Sequence, residues 1–124
     1  MTYAPHMMEK VRSDDIMAGA AGSPCTLRVS SLYPGHRCSG DDTVVNCHLP
    51  VIGKGVSTKV TDMAAAFGCF HCHQILDGVD RQRREYIETR FPTLYVMRML
   101  NGLVETHALL IAQEIITIKG ATFE

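Results

Sequence analysis

The run Cys69-Phe70-His71-Cys72-His73 constrains this chain more than any other stretch. Two thiols at C-x-x-C spacing point inward from one tight knuckle, as tetrahedral coordination of a soft metal ion requires. Cys25 and Cys38 bring the sulfur count to that of a complete structural zinc site. The Cys25–Cys38 pair is spread too widely along the chain to hold its own geometry, so Cys47 or His36 is the substitute ligand should Cys38 lie elsewhere. Cysteine is also an ordinary small core residue. Against that stands the hydrophilic, histidine-bearing turn that holds Cys69 and Cys72.

A chain of 124 residues makes one domain. It buries about two-thirds of its unfolded surface, and a core of that size benefits from a metal staple. Its formal net charge of −1 excludes a surface coated in positive potential, so contact with a polyanion would come from local patches. The cysteines number five, an odd count, and residues 1–10 lack the basic-then-apolar pattern of a secretory signal. We therefore expect a cytoplasmic protein, where cysteines beside histidines are metal ligands rather than disulfide partners. The most apolar segment, residues 94–118, is interrupted by Arg98, Asn101, Glu105, His107, Gln113 and Glu114, which argues against a membrane span.

The Ala/Gly/Ser stretch at residues 18–23 is the one soft boundary. Residues 1–22 read as an N-terminal arm or short helix, with Ser13 or Asp14 able to cap a helix near residues 8–17. Residues 23–124 read as a single domain. The Thr26-Leu27-Arg28-Val29 pattern predicts a strand from Cys25, and residues 34–42 are turn formers that carry Cys38 in a loop. A second strand over residues 43–49 places His48 near its end, followed by the glycine-punctuated loop Gly53-Lys54-Gly55 with Lys59. Residues 62–67 are alanine-rich, which says helix, yet they precede a metal knuckle, which says strand or turn. A helix from about Phe70 ends at Gly78, and a charged one follows over residues 80–90. Pro92 then opens a long helix whose apolar positions Leu94, Met97, Leu100, Val104, Ala108 and Ile111 follow helical spacing. With seven methionines, that broad apolar face leaves room for a homodimer. Alternation over residues 115–119 predicts a closing strand.

Several side chains have the chemistry of a hydrolytic centre. His48 can act as a general base, because neutral imidazole titrates near physiological pH. His73 and Asp77, four apart on a helix, share one face and can chelate a divalent cation together. Because His73 follows Cys72 directly, a zinc knuckle would also fix this helix. Lys54, Lys59, Arg83 and Arg84 are candidate phosphate contacts, although such clusters are usually solvated faces. His6, His36, His71 and His107 read as loop, knuckle or core residues.

The segments Pro24-Cys25-Thr26-Leu27-Arg28-Val29, Val45-Asn46-Cys47-His48-Leu49-Pro50, Gly53-Lys54-Gly55, Thr61-Asp62 and Gly68-Cys69-Phe70-His71-Cys72-His73-Gln74-Ile75-Leu76-Asp77-Gly78 together resemble the HNH branch of the ββα-metal nucleases. Within it they resemble the small nucleases of tailed phages and prophages. The resemblance spans roughly residues 23–80 and continues more weakly through the C-terminal helix. It implies an α+β fold: a zinc-stapled ββα-metal core over residues 23–80, flanked in residues 81–124 by a long helix and a short terminal strand. It implies DNA as substrate, a bacterial host cytoplasm, structural zinc on Cys25, Cys38, Cys69 and Cys72, and Mg²⁺ or Mn²⁺ for catalysis. By the same resemblance His48 is the general base and His73 a ligand of the catalytic cation. Asp62 stands where the family has an asparagine that orients the base, and as a carboxylate it could instead bind the cation. Many HNH enzymes carry an aspartate before the first histidine; here Cys47 stands there, so softer ions or Asp77 would compensate. The alternatives are a zinc-stabilised DNA-binding or protein-interaction module of phage recombination that does not cleave, and a plain structural zinc domain.

Overall fold

A computed structural model describes residues 10–51 and 60–124. It is an α+β fold with one small antiparallel sheet and a long C-terminal helix. Strand β1 (Val45–His48) pairs with β2 (Ala65–Gly68) in the register Val45↔Gly68, Asn46↔Phe67, Cys47↔Ala66 and His48↔Ala65. The alanine-rich stretch is thus strand rather than helix from Ala65 on. All four residues of β2 are buried, an environment in which packing overrides alanine's helix propensity.

Helix α1 (Asp14–Ala18) is capped by Ser13, whose side chain accepts from Ile16 N, and it turns Ile16 into the core. Helix α2 (Phe70–Leu76) starts at Cys69, whose Sγ accepts from Cys72 N at 3.5 Å. It stops where Gly78 takes φ +77°, the left-handed conformation that glycine adopts without strain. Asp80 caps α3 (Arg81–Arg90), and Pro92 occupies the first turn of α4 (Pro92–Ala112).

The face that α4 buries differs from the one its apolar spacing predicts. Leu94, Met97, Leu100 and Val104 are exposed, whereas Tyr95, Gly102, Thr106 and Leu110 are buried. Close approach explains the choice. A Cβ at Gly102 would lie 3.1 Å from Thr26 O and 3.2 Å from the Ala66 Cβ, tighter than ordinary contact, so glycine lets the helix sit this near the sheet without displacing either neighbour. The Thr106 hydroxyl accepts from Phe67 N at 2.9 Å and bonds the Thr26 hydroxyl at 2.9 Å, satisfying polar groups in the core.

Two predicted strands do not form. Thr26 N and Leu27 N both reach Phe67 O, at 2.8 and 3.2 Å, but Arg28 has φ +50°, which ends the extended run before a ladder can build. A 3₁₀ turn, Ser30–Leu32, follows. The closing strand at residues 115–119 is likewise absent: Ile115 N and Ile116 N both bond Leu110 O, finishing α4 instead of pairing with a strand. The loop carrying Lys54 and Lys59 lies outside the described residues.

Thr106→Val keeps shape but leaves the buried Phe67 N–H without an acceptor. We expect a loss of about 1–3 kcal/mol, measured by urea unfolding of the zinc-loaded protein, with the fold retained.

Candidate metal centre and adjoining histidine–carboxylate pairs

The four cysteines named from spacing converge. The sulfurs of Cys25, Cys38, Cys69 and Cys72 all lie within 4.8 Å of one another, with Cys72 Sγ 3.6 Å from Cys25 Sγ and 3.7 Å from Cys38 Sγ. A zinc tetrahedron with Zn–S bonds of about 2.3 Å has edges of about 3.8 Å. The two separations at Cys72 lie close to that edge and are far longer than a disulfide. Cys38 needs no substitute, so His36 and Cys47 stand outside the cluster.

Cys38 reaches the others because its loop is clamped to the start of α2. His71 Nδ1 lies 2.8 Å from Arg37 O, and the His36 and His71 rings stack at 4.4 Å. Phe70 N donates to the Thr43 hydroxyl and His71 N to the Ser39 hydroxyl, satisfying donors of the first helical turn. Ser30 Oγ, 3.6 Å from both Cys38 Sγ and Cys72 Sγ, adds a hydroxyl beside the sulfurs. Ser30, Ser39 and Thr43 were not legible as site residues, since hydroxyls in a turn-rich sequence carry no distinguishing pattern.

The cluster is electrostatically ready for a cation. The Cys38 thiol lowers Cys25 to about 6, and thiols of Cys25, Cys38 and Cys72 drive Cys69 strongly down. Their sulfur neighbours, Cys25 first, push Cys38 and Cys72 up. The clustered sulfurs share their protons unequally, and a zinc ion would displace them.

The other candidates form two pairs. His48, at the end of β1, places Nε2 at 3.0 Å from Asp62 Oδ1. Asp62 is buried; its Oδ2 accepts from Ser13 N at 2.7 Å, and Arg12 stands 3.9 Å from Oδ1. Burial opposes ionisation of Asp62, but the Ser13 N–H, His48 and Arg12 outweigh it and hold its carboxyl below the ordinary range. On α2, His73 Nε2 lies 2.7 Å from Asp77 Oδ2, both half-exposed, as the i,i+4 spacing requires.

Cys47 turns away from this chemistry. It is buried, its Sγ faces Val45 O and Gly68 O, and a Cβ at Gly68 would come within 2.7 Å of it. Burial foremost pushes its thiol up to about 12, so it is a neutral core group. Arg83 and Arg84 carry partners within the chain: Arg83 pairs with Asp80 at 2.8 Å and covers the Tyr33 ring, while Arg84 pairs with Glu88 at 2.7 Å and bonds Leu76 O.

Purified protein should carry about one zinc per chain by elemental analysis. Cys69→Ser or Cys72→Ser should lose the metal and the fold, since structural zinc supplies on the order of 10 kcal/mol in small metal domains. Cys47→Ser should keep both.

No curated protein and no solved structure matches the chain. Its residues 14–109, well over half of the chain, match the family described as Putative nuclease YbcO. That span runs from the first residue of α1 into the last turn of α4 and contains all four clustered cysteines and both histidine–carboxylate pairs. The chain belongs to the Putative nuclease YbcO family.

Proposed function

We propose that this chain is a metal-dependent endonuclease of the HNH type that hydrolyses DNA phosphodiester bonds, with residues 23–124 acting as one domain. The observation that carries the reading is the His48–Asp62 pair at the end of β1, in a β1-β2-α2 succession whose helix starts inside a four-sulfur cluster. Nuclease family membership supports the reaction class. The resemblance to phage and prophage nucleases supports a phage or prophage origin and a bacterial cytoplasm as the place of action.

Donation from His48 Nε2–H to Asp62 Oδ1 assigns the acceptor lone pair of the ring to Nδ1, which takes the proton of the attacking water. Asp62 then stabilises the imidazolium. Both its oxygens are already engaged by His48 and Ser13 N, which favours this orienting role over binding a cation. His73 and Asp77 are the donors for Mg²⁺ or Mn²⁺, and a buried Cys47 thiol leaves Asp77 as the carboxylate of that pair. When bound, the cation supplies positive charge against the phosphate. Lys54, Lys59, Arg83 and Arg84 are assigned to the DNA backbone, with the two arginines exchanging or sharing their present carboxylate partners.

The Cys47 thiol also favours a second reading, a zinc-stabilised module that binds DNA or protein without cutting. Plasmid nicking that disappears with EDTA and returns with Mg²⁺ or Mn²⁺ supports the nuclease; a gel shift without nicking supports the module.

His48→Ala should keep zinc, thermal stability and DNA binding while lowering cleavage by roughly 10²- to 10⁴-fold, the usual worth of a general base. His73→Ala should lose cleavage through the cation, and raised Mn²⁺ should restore part of it; the same Mn²⁺ should do nothing for His48→Ala. Replacing Lys54, Lys59, Arg83 and Arg84 with alanine should weaken binding to all sequences and flatten its salt dependence by about one unit of slope for each phosphate left without its cation. An unchanged slope would assign these residues to a solvated face.

A further inference from the structure

The segment that reads in sequence as an arm is bonded into the turn that carries Asp62. Asp62 N donates to Val11 O at 2.9 Å, Val11 N donates to the Thr61 hydroxyl at 3.0 Å, and Ser13 N donates to Asp62 Oδ2 at 2.7 Å. The Arg12 guanidinium bonds Val60 O and stands 3.9 Å from Asp62 Oδ1. From the far side, His107 on α4 holds Met63 O at 2.8 Å. The turn is thereby gripped at residues 60–63 from two directions.

The grip has chemical content. A carboxylate on a short side chain rotates about two bonds, and nothing in β1 or β2 alone would keep Oδ1 toward His48. The Ser13 amide fixes Oδ2, and so directs Oδ1 at His48 Nε2. Against an ionised Asp62, that bond requires the proton on Nε2. Ser13 is itself held, because it leads directly into α1, and α1 buries Ile16 in the same core as the sheet.

We propose that Val11–Ser13 is a positioning strap of the catalytic pair: through the Ser13 amide it aims the Asp62 carboxylate at His48 and so selects the Nδ1-acceptor tautomer. Ser13 and Thr61 are positioning residues that touch neither substrate nor cation. The inference rests on the nuclease reading for its catalytic consequence but not for its structural one.

Long-range proton–nitrogen spectra of the full-length, zinc-loaded protein separate the two. Wild type should show His48 with a protonated Nε2 and an acceptor Nδ1. Ser13→Pro removes the amide donor and should give a mixed-tautomer signal, with kcat for cleavage lowered roughly 10- to 100-fold, the scale of a small misplacement of a catalytic group, and KM little changed. Ser13→Ala keeps the amide and loses only the cap, so it should retain the wild-type tautomer. Should Ser13→Pro fail to fold, Thr61→Val, which deletes the acceptor for Val11 N, should shift the tautomer in the same direction. A folded Ser13→Pro or Thr61→Val protein with the wild-type His48 spectrum and unchanged kcat overturns the strap. Should wild type cleave no DNA under any divalent ion, the nuclease reading fails, while the His48 spectra still decide the strap.

Discussion

Four sulfur atoms gathered within 4.8 Å tie a turn-rich segment with no strand of its own, residues 25–38, to the first turn of α2. Cys69 is at once a member of the cluster, the N-cap of α2 and the residue directly after β2. One side chain therefore fixes where the sheet ends and at what angle the helix leaves it. His73 lies one residue past Cys72 and about one helical turn from Cys69, so the cluster also sets its position. A metal held at the cluster would add its binding free energy to folding, on top of what the packed core supplies.

A two-stranded sheet is marginal by itself in water. Here α4 covers β2, and the junction is made by a glycine and a threonine rather than by large apolar residues. The geometry exchanges side-chain volume for proximity: Gly102 admits the backbone of Thr26, and Thr106 then reaches the Phe67 amide that the sheet leaves unpaired. The larger apolar residues of α4, Val96, Met97, Leu100 and Val104, point outward. Hydrophobic spacing identified the helix but not the face it buries, because the deciding groups carry almost no hydropathy.

Legibility in the sequence followed the same physics. Thiols at C-x-x-C spacing, the proline before α4 and the glycine after α2 act through their own covalent chemistry, so Cys69, Cys72, Pro92 and Gly78 were readable singly. Cys38 was assigned by counting ligands, and what holds it, the His71–Arg37 bond and the hydroxyls of Ser39 and Thr43, was not visible. The strands predicted at Cys25 and at residues 115–119 fail because a strand needs a partner edge, and Arg28's positive φ and the end of α4 remove the chance of one. His48 and Asp62 were both named as candidates, but their pairing depends on a fold-level return of the chain that no local pattern encodes. Backbone amides are wholly silent in sequence: nothing about the letter Ser13 announces a donor to Asp62.

The two histidine–carboxylate pairs are therefore held by different means. His73 and Asp77 ride on α2, whose origin is keyed by sulfur and, with zinc, by strong metal–thiolate bonds. His48 and Asp62 are keyed by single hydrogen bonds from an N-terminal segment and by His107 across the turn, each worth about 0.5–1.5 kcal/mol net. Bonds of that size open locally far more often than the global fold does. The half that holds His48 and Asp62 is consequently the softer one. On the nuclease reading proposed above, that asymmetry would put the rigid element under the residues assigned to the cation, where charge is held fixed, and the yielding element beside the residue assigned as base, where a proton moves.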